Sequence, residues 1–575
     1  MKKTLSYLKS YKKECILAPL FKLLEACFEL FVPLVIADII DIGISGGNKG
    51  YVWGRVGILA LLAVCGLAFA ITAQYFAAKA AVGFASKLRH ALFTRIQSLS
   101  YADTDKLGTS TLITRMTADV EQVQQGVNMV LRLLLRSPFV VFGAAIMAFT
   151  VDAKSAVTFA VTIPVMSAAV MTIMLITIPL YKKVQAKLDS LLGITRENLS
   201  GMRVIRAFRK ENAEYERFVS TNGDLTRSQK FVGRISALMN PLTYVLINCG
   251  VIALIWVGAL RVNSGTISQG QVVALYNYMS QILVELVKLA MLIITLTRAV
   301  ACAKRVDGVL TTENSMTENG DKEQKHTVIG GDVEFDGVEL TYPEAGAPSL
   351  SGVNFYAPSG STVGVIGGTG SGKTSLVNLI PRFYDVTKGC VKVGGTNVQK
   401  LDAETLRKNI GIVPQRAALF KGTIRSNLLW GKEDATDEEL WEALKTAQAE
   451  NVALDKGGLD AEVEQEGRNF SGGQRQRLTV ARALVRKPKI LILDDSASAL
   501  DLKTDAALRE AISKLDYKPT VFIVSQRAAA VMNAQLIVVL DEGAVVGMGT
   551  HDELMKTCPA YEEIYSSQFK KEADR

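Results

Sequence analysis

Histidine is nearly missing from this chain. Among 575 residues there are three, His90, His326 and His551, so imidazole chemistry has few places to come from. The seven cysteines (Cys15, Cys27, Cys65, Cys249, Cys302, Cys390 and Cys558) are scattered and include no C-x-x-C pair. That spacing indicates neither a zinc site nor a disulfide framework, and reduced structural thiols are expected. Acidic residues are scarce in one half only. Residues 1–306 hold 34 Lys and Arg against 17 Asp and Glu, whereas 307–575 hold 31 against 39. A basic apolar half fits attraction to anionic lipid heads. With the other half acidic, nucleic acid is not an expected partner. A cleavage site is also lacking behind the basic N-terminus, and charges interrupt the apolar stretch there, so it reads as a retained first span.

What is present is hydrophobicity: 49% of residues are apolar, the mean hydropathy is positive, and the apolar residues crowd into the first half. Residues 155–181 and 235–260 carry no charge between their end residues and are long enough to span a bilayer. Residues 56–78 form a third span. A fourth, about 15–42, is interrupted by Lys22, Glu25, Glu29 and Asp38. A fifth, 137–151, extends backwards through 131–135, and a sixth, about 271–297, carries Glu285 and Lys288. Basic residues concentrate before the first span and in the 79–136 and 182–234 connections, so both chain ends and both long connections are expected in the cytoplasm. Those connections read as helices with three- and four-residue apolar spacing, their tips near 111–119 and 202–208. They could act as rods that carry motion, or as ordinary solvated helices. Ionisable residues inside spans are functional candidates. Glu25, Glu29 and Glu285 could favour cationic or amphipathic cargo in a polar cavity, or Glu285 could be neutralised by Lys288. The polar stretch 307–332 reads as a linker between a membrane domain, 1–306, and a soluble domain, 333–575.

The soluble domain is organised around Gly367, Gly368, Thr369, Gly370, Ser371, Gly372, Lys373 and Thr374, followed by Ser375. The pattern G-x-x-x-x-G-K-[ST] between a strand and a helix cradles phosphates with backbone N–H groups at a helix N-terminus. Lys373 would reach the β- and γ-phosphates, and the Thr374 hydroxyl would hold Mg²⁺. Tyr342, about 25 residues upstream, could stack on adenine. Gln415 ends a strand and could touch Mg²⁺ or the attacking water. Phe470, Ser471, Gly472, Gly473 and Gln474 open a helical run, a second anion-binding feature. Ile490-Leu491-Ile492-Leu493-Asp494 is an apolar strand ending where a Mg²⁺-holding carboxylate belongs. Ser498-Ala499-Leu500-Asp501 follows, and 521–526 is another buried strand, ending at Gln526.

In this order and spacing the motifs resemble a half-transporter of the ATP-binding cassette (ABC) exporter family, over nearly the whole chain. The resemblance implies a fold: an all-α transmembrane domain of six helices with long cytoplasmic extensions, followed by an α/β phosphate-loop ATPase domain. It implies ATP and Mg²⁺ as ligands, and a dimer. Each ATP would lie between one chain's phosphate loop and the other's signature, here 470–474 with Asp501. It assigns adenine stacking to Tyr342 and the Q-loop to Gln415. Residues 463–467 resemble the segment that meets the coupling helices.

Two positions depart from the family pattern. Asp495 stands where the family usually has Glu to polarise the attacking water, and Gln526 stands where it usually has His. Asp is one methylene shorter, and a general base must come within about 2.6–3.2 Å of its proton. Gln526 can donate a hydrogen bond but cannot become a cation. Both changes serve the chain's own nucleotide, while the parts serving a partner's nucleotide are intact apart from Phe470, where Leu is usual. The pair resembles the degenerate-site subunit of bacterial heterodimeric exporters of multidrug type in the cytoplasmic membrane. Peptide or lipid export by the same architecture, a slowly hydrolysing homodimer and a nucleotide-gated channel are the alternatives.

Overall fold

The computed structural model describes residues 2–316, 330–342, 345–496 and 498–573. The chain forms two compact units: Met1–Gln97 with Ser110–Thr312, and Ser98–Thr109 with Glu313–Arg575.

The first unit is helical throughout. Lys49–Ser98 is one helix of 50 residues and Ala153–Ser200 one of 48. At 1.5 Å per residue each is about 70–75 Å long, more than twice a bilayer's hydrocarbon core. Span and rod are therefore a single element. Along the rod of the first, Ala77, Ala80, Ala81, Phe84, Ala85, Leu88 and Leu92 are all buried, a three- and four-residue stripe of mostly small side chains that permits close helix packing. Helix starts are set locally. The Asp152 carboxylate accepts from Ser155 N at 2.9 Å, and Ser268 with Gln271 forms a capping box that opens Gln269–Thr311. Leu30, Val141, Phe159, Leu254, Leu275 and Ile282 form the core of this unit, with the Tyr278 hydroxyl donating to Leu30 O at 2.7 Å.

Among the described residues five helices are long and apolar enough to cross a membrane. The first of the six expected spans falls on Lys12–Asp38, a 27-residue helix with Pro19 and Pro33 inside it. Lys22, Glu25 and Glu29 keep it out of that set. The expected tip at 111–119 is corrected: the break comes earlier, at the short helix Tyr101–Leu107, and 111–119 already belongs to the returning helix. The other tip is where expected, at Met202–Ala207. The last helix of the unit continues to Thr311, five residues into the stretch read as a linker, because Val309 and Leu310 are buried. Residues 317–329 of that stretch lie outside the described residues.

Among the described residues the second unit holds twelve strands: β1 Val333–Leu340, β2 Leu350–Ala357, β3 Thr362–Gly367, β4 Lys388–Val393, β5 Thr396–Asn397, β6 Ile410–Val413, β7 Gly422–Thr423, β8 Glu462–Val463, β9 Ile490–Asp494, β10 Thr520–Ser525, β11 Leu536–Asp541 and β12 Ala544–Gly549. A six-stranded sheet runs β12-β11-β3-β10-β9-β6, parallel except for β12. A four-stranded antiparallel sheet runs β2-β1-β4-β5, and β7 pairs with β8. β9 and β10 are buried on both faces. Ile490 and Ile492 join one core while Leu491 and Leu493 join another, which is why both strands read as unbroken apolar runs.

Residues 98–109 are contributed by the membrane half of the sequence but pack within this unit. Ser100 caps Tyr101–Leu107 in a capping box with Asp103, whose carboxylate also takes Ser315 N at 3.0 Å. Tyr101 packs on Phe383 at 4.5 Å between centroids, and the Tyr384 hydroxyl donates to Asp105 at 2.7 Å.

Candidate nucleotide site

β3, β10 and β9 are neighbours in register, Ser525 opposite Ile366 and Val524 opposite Asp494. Whatever follows their C-terminal ends is therefore brought to one rim, where open α/β sheets hold ligands. Following β3 is the phosphate loop, at the end of β9 come Asp494 and Asp495, and after β10 comes Gln526. A cavity of about 550 Å³ opens there, lined by Thr369, Gly370, Gly372, Lys373, Thr374, Ser375, Gln415, Asp494, Asp495 and Gln526 among others.

The loop's geometry explains its glycines at two points. Gly370 and Gly372 have φ of +84° and +95°. A Cβ on Gly372 would stand 2.8 Å from both Ser349 O and Leu350 Cδ2. Helix Lys373–Leu379 starts directly after it. The Lys373 ammonium is buried and folded back on the loop, donating to Gly367 O at 2.9 Å and Gly368 O at 2.5 Å. Burial pulls its pKa below the usual lysine range, and the Asp495 and Asp494 carboxylates act against that. The Thr374 hydroxyl donates to Asp494 Oδ1 at 3.1 Å. Burial pushes the Asp494 carboxyl up, with Asp495 adding to the rise and the Thr374 hydrogen bond opposing it. A hydroxyl and a carboxylate form a hard oxygen pair open to the cavity. Together with phosphate oxygens and waters, this suits Mg²⁺, which rarely takes an all-protein cage. No cluster of three His, Cys, Asp or Glu able to hold a metal occurs among the described residues.

Asp495 sits in left-handed backbone, φ +44°, its N–H donating to Val524 O at 3.0 Å. Its Oδ2 accepts from Gln415 Nε2 at 3.2 Å, so the two residues expected to handle water meet each other. Of the expected site residues, Gly367, Gly368 and Ser371 support the loop without lining the cavity. Tyr342 does not line it either. Its hydroxyl donates to Ser375 Oγ at 2.9 Å and its ring stands edge-on to Tyr384 at 5.0 Å. Missed in the sequence are Ser349, Glu542 and Gly543, which reach the cavity from the β1–β2 and β11–β12 turns. Their only signal is turn composition.

Phe470, Ser471, Gly472, Gly473, Gln474 and Asp501 are absent from the cavity lining. Ser471 and Gln474 form a capping box on helix Gly472–Val485, and Asp501 caps Leu502–Ser513 through Thr504 N at 3.1 Å. Phe470 is buried, with the Lys456 ammonium 5.5 Å above its ring and Arg475 holding its carbonyl at 3.0 Å. The helix N-terminus is thus not part of the chain's own nucleotide cavity.

In the helical unit the expected acidic residues are paired. Glu285, buried, takes Arg136 Nη1 at 2.5 Å, Ser137 Oγ at 2.8 Å and Lys288 Nζ at 2.8 Å. Glu29 takes Arg136 Nη2 at 2.6 Å, and Glu25 takes Lys22 at 2.6 Å. Arg136 was missed because it stands at the border of an apolar run; a cation beside a span is the signal that finds it. Glu25, Glu29 and Arg136 line a cavity of about 570 Å³ with Phe28, Val32, Leu59 and Leu62.

Comparison with known proteins agrees with this layout. A family model described as the ABC transporter transmembrane region matches residues 15–286, and one described as ABC transporter matches 350–498. An uncharacterized ABC transporter ATP-binding protein of Mycobacterium tuberculosis is 36% identical over 98% of this chain and 97% of its own length. One of Bacillus subtilis with the same description is 37% identical over 100% and 99%. Another B. subtilis protein, provisionally titled a multidrug export ATP-binding/permease protein, is 30% identical over 99% of both. A bacterial Atm1-family ABC exporter solved with ATP bound matches with a TM-score of 0.81 over 97% of this chain and 98% of that one, at 22% identity, which speaks to fold.

Proposed function

The chain belongs to the ABC exporters, with transmembrane and ATP-binding regions fused, and from that premise we propose that it is the degenerate-site half of a heterodimeric pump. Its own site grips ATP and hydrolyses it slowly. Its signature, 470–474 with Asp501, completes the working site of an unlike partner chain that supplies the Glu and His. The supporting observation is the rim of β9 and β10. There Asp495 reaches only as far as Gln415, 3.2 Å away, and the uncharged Gln526 stands in the position of the usual His.

Thr374 and Asp494 would hold Mg²⁺, which supplies charge neutralisation between the phosphates. Backbone N–H groups of 369–374 bind the phosphate oxygens, and Lys373 exchanges its loop carbonyls for the β- and γ-phosphates. Tyr342 would stack on adenine. Nucleotide-driven closure would be carried by rods such as Lys49–Ser98 and Ala153–Ser200, turning the membrane cavity outward. The basic residues around both chain ends and both long connections support a cytoplasmic side for them.

The cargo we propose is hydrophobic or amphipathic. Of the charged lining residues, Glu29 is paired with Arg136 and Glu25 with Lys22 just outside the lining, so the cavity offers paired charges beside an apolar wall. ATPase activity of the purified single chain, set against the co-expressed pair, tests the pairing. Slow turnover alone and fast turnover together are expected. Fast turnover by the single chain overturns it. Uphill uptake of a fluorescent amphipathic cation into sealed vesicles tests export.

A further inference from the structure

Gln526 follows β10, and its backbone carbonyl is bonded to a part of the chain 42 residues later. Gln568, on helix Pro559–Ala573, donates from Nε2 to Gln526 O at 2.8 Å, and its Oε1 accepts from Ala528 N at 2.9 Å. One neutral side chain thereby holds a carbonyl and an N–H on either side of Arg527. Only an amide carries donor and acceptor on the same fork. From the other side, Ser525 Oγ accepts from Arg527 N at 3.0 Å. The segment leaving β10 is thus pinned between its own strand and the C-terminal helix.

That helix is itself fixed. Tyr561 is fully buried, its hydroxyl 2.9 Å from His551 Nδ1. Tyr565 tilts over the His551 ring at 4.9 Å and stacks on Phe569 at 4.4 Å. Residues 561, 565 and 569 recur every four positions and so occupy one face. That seating leaves Gln568 at the edge of the packed face, against the 526–528 segment. His551, one of the three histidines of the chain, serves here as a packing surface for the helix rather than in the nucleotide cavity.

We infer that Gln568 is a positioning residue for nucleotide recognition: through the backbone at 526 and 528 it sets where the Gln526 side chain meets the γ-phosphate. This rests on the reading that Gln526 faces that phosphate. Hydrogen bonds to phosphate oxygens are short, about 2.7–2.9 Å, and are lost with small displacements. Freeing the 526 carbonyl should therefore weaken the γ-phosphate contact and leave the α- and β-phosphate contacts of the loop unaffected.

The test is competition of ATP and of ADP against a fluorescent nucleotide on the full-length chain, in the cold to suppress turnover, with melting temperature measured alongside. Gln568→Ala is expected to weaken ATP binding about tenfold, the scale of one hydrogen bond to a charged group, with ADP binding unchanged within about twofold. Gln568→Glu keeps the acceptor for Ala528 N but loses the donor to Gln526 O, and should reproduce the loss. In a Gln526→Ala background neither change should alter the ATP-to-ADP ratio further, since Gln568 acts through Gln526. Equal weakening of ATP and ADP, or a fall in melting temperature with the ratio intact, would mean that Gln568 merely anchors the helix and would overturn the inference. If Gln526→Ala alone leaves the ratio unchanged, the reading of Gln526 fails, and the inference with it. If that variant shifts the ratio and Gln568→Ala does not, only the inference fails.

Discussion

Substituting Asp495→Glu should raise ATP turnover by the isolated chain, and the structure bounds by how much. The Asp495 backbone is fixed by its N–H on Val524 O at 3.0 Å and by its left-handed φ of +44°. Its carboxylate therefore advances toward a bound nucleotide only by side-chain length. One methylene adds about 1.5 Å. Misplacing a catalytic group by about 1 Å costs on the order of a hundredfold, or about 2.7 kcal/mol. The gain in kcat should thus fall between about tenfold and a hundredfold. KM should stay within about twofold, because ground-state contacts are untouched. A small loss of melting temperature should accompany it, since Asp tolerates left-handed backbone better than Glu. The assay is phosphate release from the purified single chain, with Asp495→Asn as control. That control should slow turnover by less than about fivefold, because little catalysis is there to lose. A gain below twofold in Asp495→Glu refutes the reasoning, as does a drop of orders of magnitude in Asp495→Asn.

Three other substitutions probe separate parts. Gly372→Ala places a Cβ 2.8 Å from Ser349 O at a φ of +95°. Photo-crosslinked ATP should be abolished and the melting temperature should fall, strain there being about 1–3 kcal/mol. Asp494→Asn acts in opposite directions on stability and activity. Burial raises the folded carboxyl above its unfolded pKa, so the stability it contributes is full below the unfolded pKa and is lost as pH rises through the folded pKa. At neutral pH, without metal or nucleotide, the variant should melt a few degrees higher by calorimetry, the gain fading toward pH 4, while Mg²⁺-dependent hydrolysis disappears. Arg136→Ala leaves Glu29 without its cation and the buried Glu285 with one cation, Lys288, and the Ser137 hydroxyl. A loss of about 3–5 kcal/mol is expected, read as poor yield or early melting, with partial recovery in Arg136→Ala/Glu285→Gln.

The nucleotide site is largely legible in the amino-acid sequence because its chemistry is local. A phosphate loop needs its glycines, lysine and hydroxyl within eight residues. A buried parallel strand such as β9 is an unbroken apolar run whose end is marked by a charge. Once β3, β9 and β10 are neighbours, their C-terminal ends must converge, and Asp494, Asp495 and Gln526 arrive together without further information. Illegible are contacts set by register between distant segments. Glu542 and Gly543 reach the cavity from a turn whose only sequence mark is its glycine. Gln568 meets Gln526 across 42 residues, through a helix whose seating depends on His551. The edge-on contact of Tyr342 with Tyr384 is of the same kind, joining a residue before the phosphate loop to one after it.

The membrane half errs in the opposite direction, and for a physical reason. Hydropathy reports average cost, so the uncharged spans stand out, while Lys12–Asp38, where a span at about 15–42 is expected, scores low for the residues that make that helix specific. Lys22, Glu25 and Glu29 lower its apolar score, yet each has an opposite charge at hand: Glu25 for Lys22, and Arg136 for Glu29. Pairing removes much of the cost that a one-dimensional scale assigns to each charge alone. Arg136 carries the consequence furthest, since its two terminal nitrogens join Glu29 on one helix to Glu285 on another, 149 residues from itself. Local hydropathy cannot see such a bond. The same logic places the break between the two long helices at Ser98–Thr109 rather than at 111–119. Ser100 and Asp103 are capping residues whose second partners, Ser315 Oγ and Ser315 N, lie more than 200 positions away. The capping box itself is local, but the bonds that tie it to Ser315 leave no mark in the sequence around it.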